Sequence, residues 1–466
     1  MYNDLKGIGI WALGYDAGRT ELWNLLYAKF GESAPPTKPS RLLIKNIGGG
    51  SIKIDFQGAE NASEYIVLRG SLDIVGGLDT LGMYTDRPVI IDGLSEGETY
   101  FLSIAAKNSL GTSEPTEMLG VVPSSEQVNF LIVNGFDRVS GTSNTFDFIR
   151  QHGSSIHSNG RAFDSASNEA IIEEDINIMD YQFVDWILGE EGTSTSVFSN
   201  IEQNTIKTYL ESGRFLFISG SEIGYDLEAQ GNSTDRDFYQ SYLKADYITD
   251  AAGGHQGVYS GYGTTSSIFN GITNITYDNG SHGTYDVDWP DGIKPLGGAI
   301  LCAEYSNTDY NSRGGMGIEY TGTFGLSNEI GGLIYLSVGF ETIYPNSKRN
   351  EIMLKILELY DSQLGIENDD MIQPSTITIH SIYPNPTNTS FTILFSTSKT
   401  NDPSQISIND LLGREVYTTS IYENNNLFKW TWDGLDNNGA FAPTGTYFVS
   451  IFHGNQIETR KITILK

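Results

Sequence analysis

Phe215-Leu216-Phe217-Ile218-Ser219-Gly220-Ser221-Glu222-Ile223-Gly224-Tyr225-Asp226-Leu227 decides the fold. A run that is apolar at successive positions has both faces buried, as strands of parallel sheets do. It leads straight into a small-residue turn carrying Ser221 and Glu222. In an open α/β sheet, ligands and nucleophiles sit at the carboxyl end of such a strand. Just upstream, residues 201–212 read as a helix capped by Ser199 or Asn200 and ended by Gly213, with Ile201, Ile206, Tyr209 and Leu210 facing inward. Further strands are predicted at 128–134, 181–188, 299–304 and 332–339, with helices at 145–151 and 349–360. This alternation defines a doubly wound α/β domain over 127–362. Residues 228–298 are rich in Gly, Ser, Asn, Tyr and Asp, and are expected to form an insertion with short strands above the sheet.

The flanking segments read differently. Residues 37–122 contain short alternating strands at 42–45, 51–56, 64–70, 89–92 and 99–108, punctuated by Gly and Asn turns. That pattern predicts a β-sandwich. Residues 375–466 are again all-β, with hairpin signals at Asn438-Gly439 and Thr444-Gly445. Pro-rich residues 34–39 and acidic residues 365–374 read as linkers. Residues 1–33 hold one strand and one amphipathic helix, which cannot bury their apolar faces alone. They lack the basic region and cleavage site of a signal peptide, so the true N-terminus is expected to lie upstream or to have been processed away, and the strand and helix need a packing partner, an earlier element or the next domain.

Composition narrows the function. The 466 residues are 39% hydrophobic, enough for several folded cores. Lys and Arg number 28 against 58 Asp and Glu, a formal charge of -30, which excludes nucleic acid and anionic membrane as natural partners. No apolar run is long enough to span a membrane. The single cysteine, Cys302, lies in an apolar run and reads as a core thiol.

Several stretches resemble known families. Gly93-Leu94 and Thr99-Tyr100, followed by Asn108-Ser109-Leu110-Gly111, resemble the late strands of a fibronectin type III domain, with Leu94 and Tyr100 as its corner; the resemblance implies a spacer. Ile382-Tyr383-Pro384-Asn385-Pro386, Leu411-Leu412-Gly413-Arg414-Glu415-Val416, Trp430-Thr431-Trp432-Asp433-Gly434 and Ala442-Pro443-Thr444-Gly445-Thr446-Tyr447 resemble the Ig-like hook-cap and type IX secretion sorting domains. This implies export to the cell surface by outer-membrane secretion machinery. Trp11 with Tyr15-Asp16 resembles the last strand–helix unit of a family 18 glycoside hydrolase barrel, where Trp11 would floor a sugar subsite. The acidic catalytic motif of that family is absent.

Asn134-Gly135-Phe136-Asp137-Arg138, residues 163–168, residues 185–191, Ser219-Gly220-Ser221-Glu222 and residues 339–343 resemble a class I glutamine-amidotransferase-like module of secreted proteins named for xanthan lyase or amidase activity. The resemblance implies a flavodoxin-like sheet with a nucleophile at Ser221. The family's cysteine and His-x-Glu are not present. Two readings of the turn therefore stay open. In one, Ser221 is a hydrolase nucleophile with His255 or His282 as base and Glu222 orienting it, while Glu190, Glu191, Asp226 and Arg138 line the site. In the other, Ser221 only stabilises a tight turn and Glu222 pairs with Arg138 or Arg161. Glu190, Glu191, Glu222, Asp226, Asp235 and Asp237 also offer hard oxygen ligands; Asp235 and Asp237 are the candidates for Ca2+, with no cofactor required. The tyrosines of the insertion and Trp289 are candidates for stacking on sugars or for packing. The expectation is an accessory part of an exported carbohydrate-active protein, binding glycan or peptidoglycan or hydrolysing an ester or amide on it. The alternative is a non-catalytic surface protein that adheres or self-assembles.

Overall fold

The computed structural model describes residues 34–71, 77–192, 196–363, 378–396, 404–421, 427–437, 439–453 and 456–465. They fall into two compact units that divide at residues 365 and 366. The barrel-like reading of residues 1–33, with Trp11, lies outside the described residues, as does the acidic linker.

The first unit begins as a β-sandwich. One layer is β1 (Ser40–Gly48), β2 (Ser51–Gln57) and β5 (Val89–Ile91); the other is β3 (Glu64–Gly70), β4 (Asp79–Tyr84), β6 (Tyr100–Asn108), β7 (Gly111–Thr112) and β8 (Leu119–Val121). Alternation makes the layers pack: β2 buries Ile52, Ile54 and Phe56 while its polar residues face outward. Tyr100 is the expected corner, its hydroxyl accepting the Ser95 N–H at 3.0 Å. Glycine is required at Gly50 (φ +71°), where a Cβ would stand 2.4 Å from the Leu94 carbonyl oxygen.

This sandwich is not a detached spacer, contrary to the resemblance. Strand β1 pairs antiparallel with β10 (Asp164–Ser167), Leu43 opposite Ala166 and Ile44 opposite Ser165. The layer thus continues into the α/β sheet as one 13-stranded sheet. Arg41 reinforces the join with two bonds to Asp175, Nε to Oδ2 at 2.7 Å and a terminal nitrogen to Oδ1 at 2.6 Å.

The centre of that sheet is parallel. Its strands run in the order β10, β9 (Phe130–Asn134), β11 (Phe183–Gly189), β12 (Phe215–Gly220) and β19 (Ile330–Leu336), all neighbours parallel. In chain order this is 2-1-3-4-5, one of the doubly wound arrangements. Alternate residues bury on opposite faces. Ile132, Phe183, Phe215, Phe217 and Ile334 pack with α1 (Ile149–Ser158) and α5 (Asn346–Gln363). Leu131, Val133, Val184, Trp186, Leu216 and Ile218 pack with α2 (Asn168–Ile172), α3 (Asn200–Glu211) and α4 (Ser233–Ser241). Helices on both faces explain why the central strands are apolar throughout.

The insertion adds β13 (Ala245–Thr249), paired with β16 (Gly292–Pro295), and β14 (Ser260–Gly263) and β15 (Ile275–Tyr277); the main sheet continues past β19 through β18 (Gly317–Thr323), β17 (Ile300–Tyr305), β14 and β15 to the edge strand β20 (Ile343–Tyr344). Most of its aromatics are packing: Tyr239, Tyr277 and Tyr285 are fully buried, while Tyr262 and Trp289 reach solvent. Cys302 is buried, as expected of a core thiol.

The second unit is a sandwich of β21 (Thr378–Tyr383), β22 (Phe391–Ser396) and β25 (Leu427–Trp432) against β23 (Ser404–Asp410), β24 (Glu415–Ile421), β26 (Gly445–His453) and β27 (Gln456–Ile464). Phe391, Ile393, Trp432, Tyr447, Val449 and Ile451 form its core. Trp432 and Tyr447 satisfy their polar atoms on the Leu435 and Pro443 carbonyls, both at 2.8 Å.

Candidate functional site

The carboxyl ends of β9, β11 and β12 lie side by side at one end of the sheet, the end at which a sheet of this order binds ligands. Strand β9 runs into Gly135-Phe136-Asp137-Arg138, and β11 ends at Gly189 and runs into Glu190-Glu191-Gly192. Gly189 must be glycine: it has φ +52°, and a Cβ there would meet the Phe136 ring at 2.1 Å. Strand β12 ends at Gly220, and Ser221 and then Glu222, with φ +61°, follow before the chain turns into a helical segment. A non-glycine residue held left-handed between strand and helix is the geometry of a nucleophile elbow. The elbow residue is Glu222, not Ser221 as expected.

Charges organise this end of the sheet. Arg138 pairs with Glu222 at 3.2 Å, both side chains 12% exposed. The same guanidinium donates to the Glu190 carbonyl at 2.9 Å. One Glu191 oxygen accepts the N–H groups of Asp137 and Arg138 at 2.9 and 2.8 Å, tying together the segments that follow β9 and β11. Glu190 accepts a bond from the Thr142 hydroxyl. Burial pushes its carboxyl up to about 7, Thr142 and Arg138 opposing and the charges of Asp288 and Glu222 adding to it.

The helical segment after the elbow is already capped. Asp291, fully buried, accepts the Gly224 and Tyr225 N–H groups on Oδ2 at 2.7 and 3.2 Å, and its Oδ1 has no partner. Burial, with help from Asp250 and Glu222, drives its carboxyl well above the ordinary range. Those two amides are therefore taken and cannot receive an oxyanion. On the rim, His255 bonds Asp288 at 3.0 Å and stacks on Trp289 with ring centroids 4.8 Å apart. Trp289 is 37% exposed.

Ser221 is 3% exposed; its N–H and Oγ both point to the Gly189 carbonyl, at 2.8 and 3.4 Å. Neither His255 nor His282 hydrogen-bonds it among the described residues. His282 belongs to another loop, stacked on Tyr344 at 3.9 Å and 3.4 Å from Asp278. The nucleophile–base pairing expected from sequence is therefore not assembled. Asp226 accepts the Val197 N–H at 2.9 Å and anchors that loop. Asp235 caps α4 and accepts from Gln203 at 2.8 Å, while Asp237 pairs with Lys207 at 3.6 Å. The two expected Ca2+ ligands thus serve helix ends and surface pairs. Arg138, Glu190, Glu191 and Glu222 stand together after the ends of β9, β11 and β12.

Sequence reasoning missed Asp288 and Asp291, which an irregular loop delivers, and a second, buried ionic group. There, His152 lies between Asp185 (2.8 Å) and Glu341 (3.2 Å), and Tyr285 donates to Glu341 at 2.6 Å. Burial alone would lower the His152 pKa, but the two carboxylates override it and push it up to about 9. An aspartate inside the apolar run Val184-Asp185-Trp186 was the available signal.

Comparison with known proteins adds to this geometry. Residues 381–465 match the secretion system C-terminal sorting domain. No curated protein matches the chain. Among solved structures, a human fibronectin type III domain is 22% identical over 20% of this chain and 85% of its own, with TM-score 0.18. A fibronectin-like protein of Clostridium thermocellum is 20% identical over 19% of this chain and 88% of its own, with TM-score 0.16. PorZ, a surface component of the type IX secretion system of Porphyromonas gingivalis, is 18% identical over 22% of this chain and 13% of its own, with TM-score 0.16. The sorting domain marks the chain for export to the cell surface or extracellular space through the secretion machinery, as its tail motifs implied. No helix among the described residues is long and apolar enough to cross a membrane.

Proposed function

We propose that the α/β layer is the accessory, glycan-directed part of this exported protein, and that it binds glycan or peptidoglycan without serine chemistry. The observation that carries the reading is the exposed Trp289, stacked with His255, next to the charged group of Asp288, Glu190, Glu222 and Arg138. An aromatic face takes the apolar face of a sugar ring, and fixed carboxylates and a guanidinium take its hydroxyls. The amidotransferase-like kinship is supported by the 2-1-3-4-5 order and the elbow, with a carboxylate now standing on it. A buried Ser221 and capped helix amides speak for binding over ester or amide hydrolysis. Sedimentation with insoluble peptidoglycan and titration with soluble polysaccharides test this. Trp289→Ala is expected to weaken binding about tenfold, the loss of roughly 1.5 kcal/mol of buried aromatic surface. Ser221→Ala is expected to change neither binding nor any turnover. Binding to none of these glycans, together with concentration-dependent self-assembly in light scattering, would favour the purely structural reading, for which the burial of Ser221 is the supporting observation.

A further inference from the structure

Residues 278–291, between β15 and β16, form an irregular loop that carries Asp288 and Trp289. Its backbone makes only an isolated bridge, Asn279 to Asp286, so other groups have to hold it. Tyr285, Val287 and Asp291 are buried, while Trp289 among them reaches solvent. Two buried carboxylates grip the loop, one on each side of Trp289. Upstream, the Tyr285 hydroxyl donates to Glu341 Oε1 at 2.6 Å. The other Glu341 oxygen lies 3.2 Å from His152 Nε2, and His152 Nδ1 lies 2.8 Å from Asp185. This chain of contacts runs from the loop through the segment after β19 and helix α1 to strand β11. Room is kept for the hydroxyl, since a Cβ on Gly339 would stand 2.1 Å from it. The Tyr285 ring packs edge-on to Phe136 and Phe148, with centroids 5.5 and 5.4 Å away. Downstream, Asp291 takes the Gly224 and Tyr225 N–H groups just after the elbow, and its carbonyl accepts the Tyr305 hydroxyl at 2.8 Å. Between these ends, Asp286 accepts from Gln256 at 2.9 Å, and the Asp288 carbonyl accepts the Gln256 N–H at 3.1 Å.

We propose that Tyr285 and Asp291 are positioning residues, pinning this loop at both ends so that Trp289 and Asp288 stand ordered before a ligand arrives, and that the His152–Glu341 pair holds the Tyr285 pin. Burying ionisable groups costs more than an apolar core would, so what the arrangement supplies is a fixed geometry for one hydroxyl. A rim ordered in advance does not lose that freedom again on binding. That a ligand uses the rim rests on the glycan-directed reading above; that the two pins order it does not.

The test is fluorine NMR of the full chain labelled with fluorotryptophan, the Trp289 and Trp186 signals being assigned by their loss in Trp289→Phe and Trp186→Phe. Tyr285→Phe keeps the ring and removes the hydroxyl, and Asp291→Ala removes the second pin. In both, the Trp289 signal is expected to move toward that of the free amino acid, while Trp186, buried in β11, keeps its place. Asp291→Asn keeps an oxygen for the two N–H groups and should restore the wild-type signal. Binding to insoluble peptidoglycan or soluble polysaccharide should weaken roughly threefold in each pin variant, the loss expected when the ordered loop is populated about a third of the time, and should recover in Asp291→Asn. An unmoved Trp289 signal in Tyr285→Phe and Asp291→Ala would overturn the proposal, as would an equal displacement of Trp186, which marks general loosening. Wild-type glycan affinity in a variant with a displaced Trp289 would overturn the role of the rim. A displaced Trp289 in a chain whose wild type binds no glycan would support the pins and count against the glycan reading alone.

Discussion

Glu222 and His152 carry the least ordinary local physics in the molecule. Glu222 holds a left-handed backbone that costs a non-glycine residue roughly 1–2 kcal/mol, while its carboxylate holds Arg138. The two effects separate by mutation. Glu222→Gly relieves the backbone and loses the pair, so it should shift the stability measured in urea by less than about 1 kcal/mol. Arg138→Ala relieves nothing and removes the Arg138 bonds to Glu222 and to the Glu190 carbonyl; a cost of about 2–3 kcal/mol is expected. Equal losses for the two variants would count against strain at the elbow. His152 predicts a titration. Of the chain's six histidines, it alone is held charged between two buried carboxylates among the described residues. Its folded pKa is raised, so its stabilisation is complete below the ordinary histidine value of about 6.5 and is lost as pH rises through about 9. Imidazole NMR at pH 8 should show the His152 ring doubly protonated. All rings neutral at that pH would refute the buried ion triple.

Elements whose stability comes from apolar burial were legible, and those held by polar pairing were not. Strands β9, β11, β12 and β19 announce themselves as apolar runs because both their faces are covered. Helix α3 was legible at its start, where Ser199 and Glu202 form a reciprocal capping box. Ser199→Ala should cost about 1 kcal/mol in urea denaturation, and an unchanged midpoint would mean that tertiary contacts alone fix this helix end. Strand β10 gave no such signal: Asp164-Ser165-Ala166-Ser167 is a polar sequence, yet all four residues are buried. Its polar atoms find partners from elsewhere in the chain. Asp164 accepts the Asn46 N–H and the Tyr181 hydroxyl, both at 2.7 Å, and Ser165 Oγ accepts the Gly120 N–H at 2.9 Å. Those partners come from three distant segments, and no local pattern encodes them. The candidate site divides the same way. Glu190, Glu191 and Glu222 could be placed because each stands within two residues of a strand's end, whereas Asp288 and Asp291 arrive on a loop with no periodicity.

At the scale of the whole chain, the two units should separate cleanly and the first should not. Removing residues 378–466 deletes the sorting domain but no core residue of the first unit. The shortened protein should keep the Tm of that unit and fail to reach the cell surface in fractionated cells; surface delivery without the domain would assign export to another segment. A cut between the first sandwich and the α/β layer should behave differently. It would expose the β10 edge where β1 pairs, an open template for aggregation. It would also strip Phe163 of its neighbour Phe101, since Gly120 packs against both rings. Ser165 would lose Gly120, and Asp175 would lose Arg41. Residues 127–363 expressed alone should therefore be insoluble or unfold at much lower denaturant than residues 34–363, whose unfolding should remain a single transition by fluorescence and circular dichroism. Two transitions in the longer chain, or an equally stable α/β fragment, would return the sandwich to the role of spacer. A single transition would make the sandwich a structural wall of the α/β sheet, fixed by the same pairing that carries β1 into β10.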